Sequence, residues 1–305
     1  MGSTVKQEPE REAFAAPESR FKNLMKKLIR NKSSLIGGII LIIFTLIALS
    51  TLLSQLRILP FDLMTHNPNS TDVLNDFQSP SSDHWFGTDH NGRDIYSRII
   101  YGTHLTLYVG VLSVAVGAVF GIILGLFAGY YGRIIDSIIM RVSDVLLAFP
   151  GILLALAIVS ALGPNLNNVI IALAIYNIPV FARITRGSVL EVKSVEYVEA
   201  VRALGARDGK IIFQHILPNV SSPIIVQASL QIAVSILSAA GLSFLGLGVQ
   251  PPTPEWGAML NSGRSYMWEN PHLTLFPGIA LVLIVLGFNM LGDGLRDALD
   301  PRSKK

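Results

Sequence analysis

Long uncharged stretches alternate with short charged segments along this chain. A helix that crosses the hydrocarbon core of a bilayer needs about 20 consecutive, mainly apolar residues. Each uncharged stretch reaches that length, so each predicts one or more transmembrane helices. The stretches are 33–56, 105–132, 145–182, 220–250 and 273–292.

The stretch 145–182 is too long for one helix and carries turn-forming residues in its middle. The sequence Gly-Pro-Asn-Leu-Asn-Asn at 163–168 is typical of a loop. It divides the stretch into a third helix and a shorter fourth helix near 169–185. The chain is therefore predicted to be an all-α integral membrane protein with six transmembrane helices. In the alternative, the third and fourth segments form a re-entrant pair.

The composition supports a membrane protein and excludes thiol chemistry. Of the 305 residues, 50% are hydrophobic and 15% are charged, and the mean hydropathy is +0.50. In a soluble domain about a quarter of the residues are charged. Because cysteine is absent, the chain has neither a disulfide framework nor a thiolate metal site.

Most basic residues fall on one side of the predicted membrane. If both termini are cytoplasmic, the inside segments carry 20 Lys and Arg residues and the outside loops carry four. Cytoplasmic loops are enriched in Lys and Arg, so this orientation is favoured. The segment 1–32 then forms a basic tail, its first 19 residues are expected to be disordered, and the first helix is an uncleaved anchor. The inside segments are 1–32, 133–144, 183–219 and 293–305.

One charged, helix-forming segment, 196–219, lies between two apolar stretches on the predicted cytoplasmic side. Gly205 is placed to end a first helix, Asp208 to cap a second, and Pro218 to end it before the fifth span. Such a pair of short helices either lies on the lipid headgroups or binds a cytoplasmic partner. Its apolar stripe consists of Val195, Val198, Val201 and Leu204.

The same segment resembles the EAA loop of ABC importer permeases. The stretches EAVRALGA (199–206) and HILPN (215–219) carry the pattern. Val201 replaces the second Ala of that pattern, and His215 stands where it has Ile. The positions that agree are Glu199, Ala200, Gly205, Leu217 and Pro218.

Three further stretches resemble the C-type permease of the dipeptide and oligopeptide importers, a subfamily that includes nickel and glutathione systems. They are HWFGTDHNGRDIYSRIIYG (84–102), GLSFLGLGVQPPTPEWGAML (241–260) and GDGLRDALDP (292–301). The resemblance implies a type I importer fold in a bacterial cell (inner) membrane. It also implies a complex with a homologous second permease, two ATPase subunits and an extracellular or periplasmic substrate-binding protein.

The resemblance implies that the ATPases bind the loop 195–218 and that the loop transmits their motion to the transmembrane helices. A five-span permease core is expected over 104–294, after an anchor and long outer loop at 33–103 and before a cytoplasmic tail at 295–305. The candidate coupling residues are Glu196, Glu199, Ala200, Arg202, Gly205, His215, Leu217 and Pro218.

The chain itself is not expected to be an enzyme or to bind a cofactor. The sequence GARDGKI (205–211) lacks the spacing of a phosphate-binding loop, so ATP and Mg²⁺ are assigned to the partner subunits. Membrane lipid is an expected partner, whereas nucleic acid is not.

The spans contain no ionisable residue in their cores, but they carry glycines and neutral polar side chains. Glycines four residues apart allow close helix approach, within the chain or against the sister permease. The polar residues either line the pathway or form hydrogen bonds between helices. The glycines are Gly117, Gly121, Gly125 and Gly129, and the polar residues are Asn177, Gln227, Gln231, Ser235, Ser238 and Asn289.

The outer loops contain charged residues, histidines and tryptophans. The spacing of Asp89, Arg93, Asp94 and Arg98 predicts a surface amphipathic helix or a landing surface for the binding protein. Trp256 and Trp268 indicate anchoring at the membrane interface. No metal is expected, since no two of the outer histidines have ligand spacing on one element. These histidines are His66, His84, His90 and His104.

Three functions remain open at this point. The first is a permease for di- and oligopeptides, and the second has the same architecture with nickel chelates or glutathione as cargo. The third is a stand-alone carrier or channel. The absence of an ionisable group in the spans argues against a self-powered carrier, which usually keeps one as a relay.

Overall fold

A computed structural model of the chain describes residues 20–56, 58, 62–194 and 196–299, and in these residues it is all-helical. The all-α prediction is confirmed, while the expectation for 1–19 concerns residues outside the described ranges. The helices are α1 (Arg20–Arg30), α2 (Lys32–Gln55), α3 (Ile95–Tyr131), α4 (Arg133–Leu147), α5 (Gly151–Leu162), α6 (Leu166–Val192), α7 (Glu196–Ala203), α8 (Asp208–Lys210), α9 (Leu217–Phe244), α10 (Trp256–Gly263) and α11 (His272–Leu299).

Five helical segments of the described chain are long and apolar enough to cross a membrane. They are Lys32–Gln55, Ile95–Tyr131, Leu166–Val192, Asp208–Phe244 and His272–Leu299. The predicted number of six is reached when α4 and α5 count as one span, and these two helices meet at an angle of 88°. Pro150 explains the break, because proline disfavours helical geometry in the residue before it. Since α6 is long enough to cross by itself, the re-entrant alternative applies to the bent pair of α4 and α5.

Two spans extend beyond the uncharged stretches that predict them. Helix α3 begins at Ile95, before Arg98 and His104, and α6 continues past Arg183 to Val192. The buried Arg98 is accommodated because its Nη1 donates to the carbonyl oxygens of Pro68 at 2.7 Å and Pro252 at 3.4 Å. Charged residues therefore do not mark the ends of these helices.

The predicted outer loops form a folded cap at one end of the molecule. The spacing of Asp89, Arg93, Asp94 and Arg98 predicts an exposed helix, and this prediction is wrong. All four residues are buried, and the first three precede α3 in a turn. Arg93 Nε donates to Asp89 Oδ2 at 2.7 Å, so the charges are satisfied inside the cap. A surface formed by these four side chains is likewise absent from the described structure.

The two tryptophans of the outer loop have different environments. Trp256 is fully buried and donates from Nε1 to the carbonyl oxygen of Ile99 at 3.1 Å, so its prediction as an interface anchor is wrong. Trp268 is 88% exposed. The neighbouring Glu255 caps α10 with both carboxylate oxygens, and its burial raises the pKa of the carboxyl group.

The glycine run of α3 packs within the chain against α6. Gly117, Gly121, Gly125 and Gly129 are all buried. A Cβ atom at Gly125 would lie 2.6 Å from the carbonyl oxygen of Ala182, and one at Gly129 would lie 2.6 Å from Val189 Cβ. These distances leave no room for a methyl group, so the four glycines set the separation of α3 and α6.

We expect Gly121→Ala to destabilise the protein by about 1–3 kcal/mol, the usual cost of overpacking. Its Cβ would lie 2.5 Å from the carbonyl oxygen of Ile178 and 2.6 Å from Phe181 Cβ. The matched control is Gly38→Ala in α2, where no described heavy atom lies within 4 Å of the Cβ position. Unfolding of both variants in detergent measures the difference, and equal stabilities would contradict the packing account.

Candidate functional site: the loop between α6 and α9

The first half of the loop is a short helix closed by glycine. Helix α7 ends at Ala203, and Gly205, two residues later, has a φ of 80°. The Gly205 N–H donates to the Arg202 carbonyl at 3.0 Å, and the Ala206 N–H donates to the Val201 carbonyl at 3.3 Å. These two bonds form a Schellman closure, in which a left-handed residue reverses the chain. The sequence places the bend at the same residue.

The second half of the loop is continuous with the fifth span. A π-helical turn, Ile211–Ile216, joins α8 to α9, and the Leu217 N–H donates to the Ile212 carbonyl. Pro218 therefore lies in the first turn of α9, where its missing N–H is tolerated, and it does not end a helix. Asp208 is the first residue of α8 and not its cap, so both of these local predictions are wrong.

The underside of the loop is buried against the ends of α3 and α6. Val198 is fully buried, as are Ile211 and Ile216. They pack in one cluster with side chains of α3 and α6, among them Leu126 and Val189. The loop is thus fixed to two spans by apolar contact. The predicted stripe fits this surface only in part, because Leu204 is 87% exposed and Val195 lies outside the described residues.

Polar contacts around Tyr130 complete this attachment. The Tyr130 hydroxyl donates to Asp208 Oδ1 at 2.7 Å, and the Arg202 guanidinium lies over the Tyr130 ring at 5.5 Å from its centroid. Lys193 Nζ donates to the Gly129 carbonyl at 2.9 Å and so satisfies the end of α3. The sequence analysis missed Tyr130 because it lies 78 residues from Asp208 and its type does not distinguish it from other residues at helix ends.

The solvent-exposed face of the loop combines apolar and basic residues. Leu204 and Phe213 are exposed apolar side chains, and Arg202, Arg207 and Lys210 are exposed cations. We call these five residues the coupling surface. Such a mixture suits a protein partner that offers an apolar pocket with acidic groups around it.

The other candidate coupling residues are placed as follows. Ala200 and Pro218 are exposed, and His215 and Leu217 are half-buried. The backbone of Glu196 and Glu199 belongs to α7, but their side chains lie outside the described part of the structure.

Polar side chains of α6 and α9 form a connected network inside the protein. Gln231 Nε2 donates to Asn177 Oδ1 at 2.8 Å, and Asn177 Nδ2 donates to Ser235 Oγ at 3.2 Å. All three residues are buried. In this conformation they form hydrogen bonds between helices, which is the alternative to lining the pathway.

Gln227 connects this network to a cavity at the protein surface. Its Nε2 donates to Gln231 Oε1 at 3.2 Å, and its side chain lines a cavity of about 440 Å³ between α9 and the end of α11. Asn289 is exposed on α11. For Gln227 and Asn289, lining of the pathway stays a prediction.

Two family models match the chain. Residues 121–305 match the binding-protein-dependent transport system inner membrane component. Residues 19–80 match the N-terminal transmembrane domain of oligopeptide transport permease C. The first match includes the coupling surface and the polar network.

Two curated proteins are similar over nearly the whole chain. The dipeptide transport system permease protein DppC of Alkalihalophilus pseudofirmus is 50% identical, covering 94% of this chain and 91% of that protein. The glutathione transport system permease protein GsiD of Pectobacterium atrosepticum is 49% identical, covering 93% of this chain and 92% of that protein.

A solved structure shares the fold. The inward-facing MetNI methionine ABC transporter has a chain that matches with a TM-score of 0.55 at 21% identity. The match covers 68% of this chain and 98% of that chain. The predicted type I importer fold is confirmed by this likeness together with the family match.

We expect Tyr130→Phe to loosen the loop, because it removes the hydrogen bond to the Asp208 carboxylate. Asp208 is exposed to solvent, so the loss is about 1 kcal/mol. Hydrogen exchange should become several-fold faster in amides 208–216, since 1.4 kcal/mol corresponds to a factor of ten. Tyr131→Phe is the control, because Tyr131 is exposed at the next position. Exchange that is unchanged in Tyr130→Phe would show that the bond does not hold the loop.

Proposed function

The chain belongs to the family of binding-protein-dependent transport system inner membrane components, and from this premise we propose that it forms half of a pathway for short peptides. As a member of this family it is a multi-pass membrane protein and a permease subunit of an ABC importer. A stand-alone carrier is therefore no longer an alternative.

The relatives support a peptide-like cargo. One is named for dipeptides and is 50% identical, and the other is named for glutathione and is 49% identical. Both names favour short peptides over a nickel chelate. Di- and oligopeptides are the proposed cargo, with glutathione as the alternative within the same chemical class.

We propose that two ATPase subunits bind the coupling surface and hydrolyse ATP with Mg²⁺, while this chain performs no catalysis. A homologous second permease completes the pathway, and a substrate-binding protein delivers the cargo on the outer side. Leu204 and Phe213 supply apolar contacts, and the basic residues around them favour acidic groups of the ATPase.

The observation that carries this proposal is the continuous helical segment Asp208–Phe244. It connects the coupling surface with Gln227 and Gln231 without a loop between them. At about 1.5 Å per residue, 23 helical positions from Asp208 to Gln231 span roughly 35 Å. A force applied by the ATPase at Phe213 therefore acts directly on the helix that carries the polar network.

We further propose that the coupling surface and both termini are cytoplasmic. The 20-to-4 distribution of basic residues supports this orientation. Because the parent chain has no cysteine, single cysteines report accessibility without background.

Replacement of Gly205 should uncouple the importer. At a φ of 80°, Gly205→Ala costs about 1–2 kcal/mol in backbone strain. We expect ATP hydrolysis by the reconstituted importer to respond several-fold less to the binding protein loaded with dipeptide or with glutathione. Gly209→Ala is the matched control, because Gly209 lies in α8 at an open position without positive φ.

Glu199→Lys tests the charge at the start of the matched motif in the same assay. If the loop merely rests on lipid, Lys suits the anionic surface and coupling stays normal. Normal stimulation and normal ATPase co-purification in both Gly205→Ala and Glu199→Lys would refute the docking proposal. The cargo that stimulates the parent importer distinguishes dipeptide from glutathione.

A membrane-impermeant maleimide tests the orientation. In intact cells or spheroplasts, Ser262→Cys should be labelled, whereas Ser194→Cys should be labelled only after the membrane is opened. Both serines are exposed in the described structure, so burial does not bias the comparison. The reverse pattern would show that the coupling surface faces outward.

A further inference from the structure

Two histidines and an aspartate from three separate stretches meet in the outer cap. His66 follows α2, His84 lies in the turn before α3, and Asp94 caps the start of α3. One ligand atom of each side chain lies within 4.8 Å of the ligand atoms of the other two. The spacing of the histidines in the sequence does not predict this cluster, because they belong to different segments that only the fold brings together.

We propose that these three side chains bind one divalent transition cation of the zinc type. The donors are His66 Nδ1, His84 Nδ1 and Asp94 Oδ1. His84 Nδ1 lies 2.9 Å and His66 Nδ1 lies 3.9 Å from Asp94 Oδ1. Two imidazole nitrogens and one carboxylate oxygen suit Zn²⁺, which accepts three protein ligands and water in the fourth position.

The donor atoms are close to the separation that a bound ion requires. Bonds of about 2.0–2.2 Å in a tetrahedron place ligand atoms roughly 3.3 Å apart. Compared with that separation of roughly 3.3 Å, His84 Nδ1 lies about 0.4 Å too close to Asp94 Oδ1 and His66 Nδ1 lies about 0.6 Å too far from it. The two rings already lie side by side, with centroids 4.5 Å apart. The His66 side chain is 36% exposed, so a hydrated cation reaches the cluster from solvent.

The carboxylate of Asp94 is oriented by its role in the helix. Its Oδ2 accepts from the Ser97 N–H at 2.7 Å and from the Thr65 hydroxyl at 3.4 Å. This leaves Oδ1 directed at the histidines, where it accepts from His84 at 2.9 Å or binds a cation. Hydrogen-bond partners of this kind, which do not touch the metal themselves, fix the direction of a metal ligand.

Asp83 lies near the other edge of both rings, beyond hydrogen-bond distance. Its carboxylate oxygens lie 3.9 Å from His66 Nε2 and 3.8 Å from His84 Nε2. When Nδ1 binds a cation, the remaining ring proton sits on Nε2, where Asp83 attracts it.

A cation at this position would connect the loop after α2 to the start of α3. The cluster contains no reacting group and lies in the outer cap, away from the coupling surface. The proposed site therefore stabilises the outer loop.

Calorimetric titration of the full chain with Zn²⁺ tests the site. The chain is purified in nanodiscs with a tag that contains no histidine. We expect one Zn²⁺ per chain, at least about tenfold weaker binding in His66→Ala and in His84→Gln, and a smaller loss in Asp83→Asn. His66→Ala is the primary variant because the His66 side chain is the most exposed of the three ligands. His90→Gln is the control, since His90 lies in the same loop outside the cluster.

Three outcomes would overturn the proposal. The first is no saturable binding of Zn²⁺ to the parent chain. The second is binding by His66→Ala that is as tight as that of the parent, or an equal loss in His90→Gln. The third is a larger loss in Asp83→Asn than in the histidine variants, because it would place the cation on the Nε2 side of the rings.

Discussion

The close approach of α3 to α6 is the constraint on which the rest of the described molecule depends. Glycines at every fourth position of α3 bring its backbone against the carbonyl oxygens and Cβ atoms of α6. Lipid tails are as apolar as leucine, so helices in a membrane gain little from burying apolar surface. Tight packing and hydrogen bonds between helices have to hold them together. The glycine run supplies the packing, and the network around Asn177 supplies the hydrogen bonds.

The loop with the coupling surface is built on the ends of these two helices. Tyr130 lies in the last turn of α3, Lys193 follows α6, and the buried isoleucines after Asp208 pack against both helices. Because α9 continues directly from the loop, its N-terminal end is tied to the α3–α6 pair while its polar residues bond to α6. The helix pair thus acts as a frame against which α9 is positioned.

Much of this architecture could be predicted from the sequence, because spans and glycine runs are periodic patterns. The bend at Gly205 could also be predicted, since only glycine adopts its backbone conformation at little cost. Contacts between residues that are far apart in the sequence could not be predicted. Arg98 was predicted to lie on a surface, but it is buried and its Nη1 donates to the carbonyl oxygens of Pro68 and Pro252. The burial of Trp256 could not be predicted for a similar reason. Its hydrogen-bond acceptor, the Ile99 carbonyl oxygen, lies 157 residues away in the sequence.

Helix α2 has consequences for how the protein is made. Its tightest contact is with α11, where a Cβ at Gly37 would lie 2.7 Å from Met290 Cβ. This partner is synthesised more than 200 residues after α2. At about 5–20 residues per second the ribosome needs roughly 10–50 s to reach it. During that time α2 has to be stable in the bilayer without its main neighbour. Its apolar side chains suit contact with lipid, and some of them, such as Ile42 and Leu46, are exposed even in the finished fold.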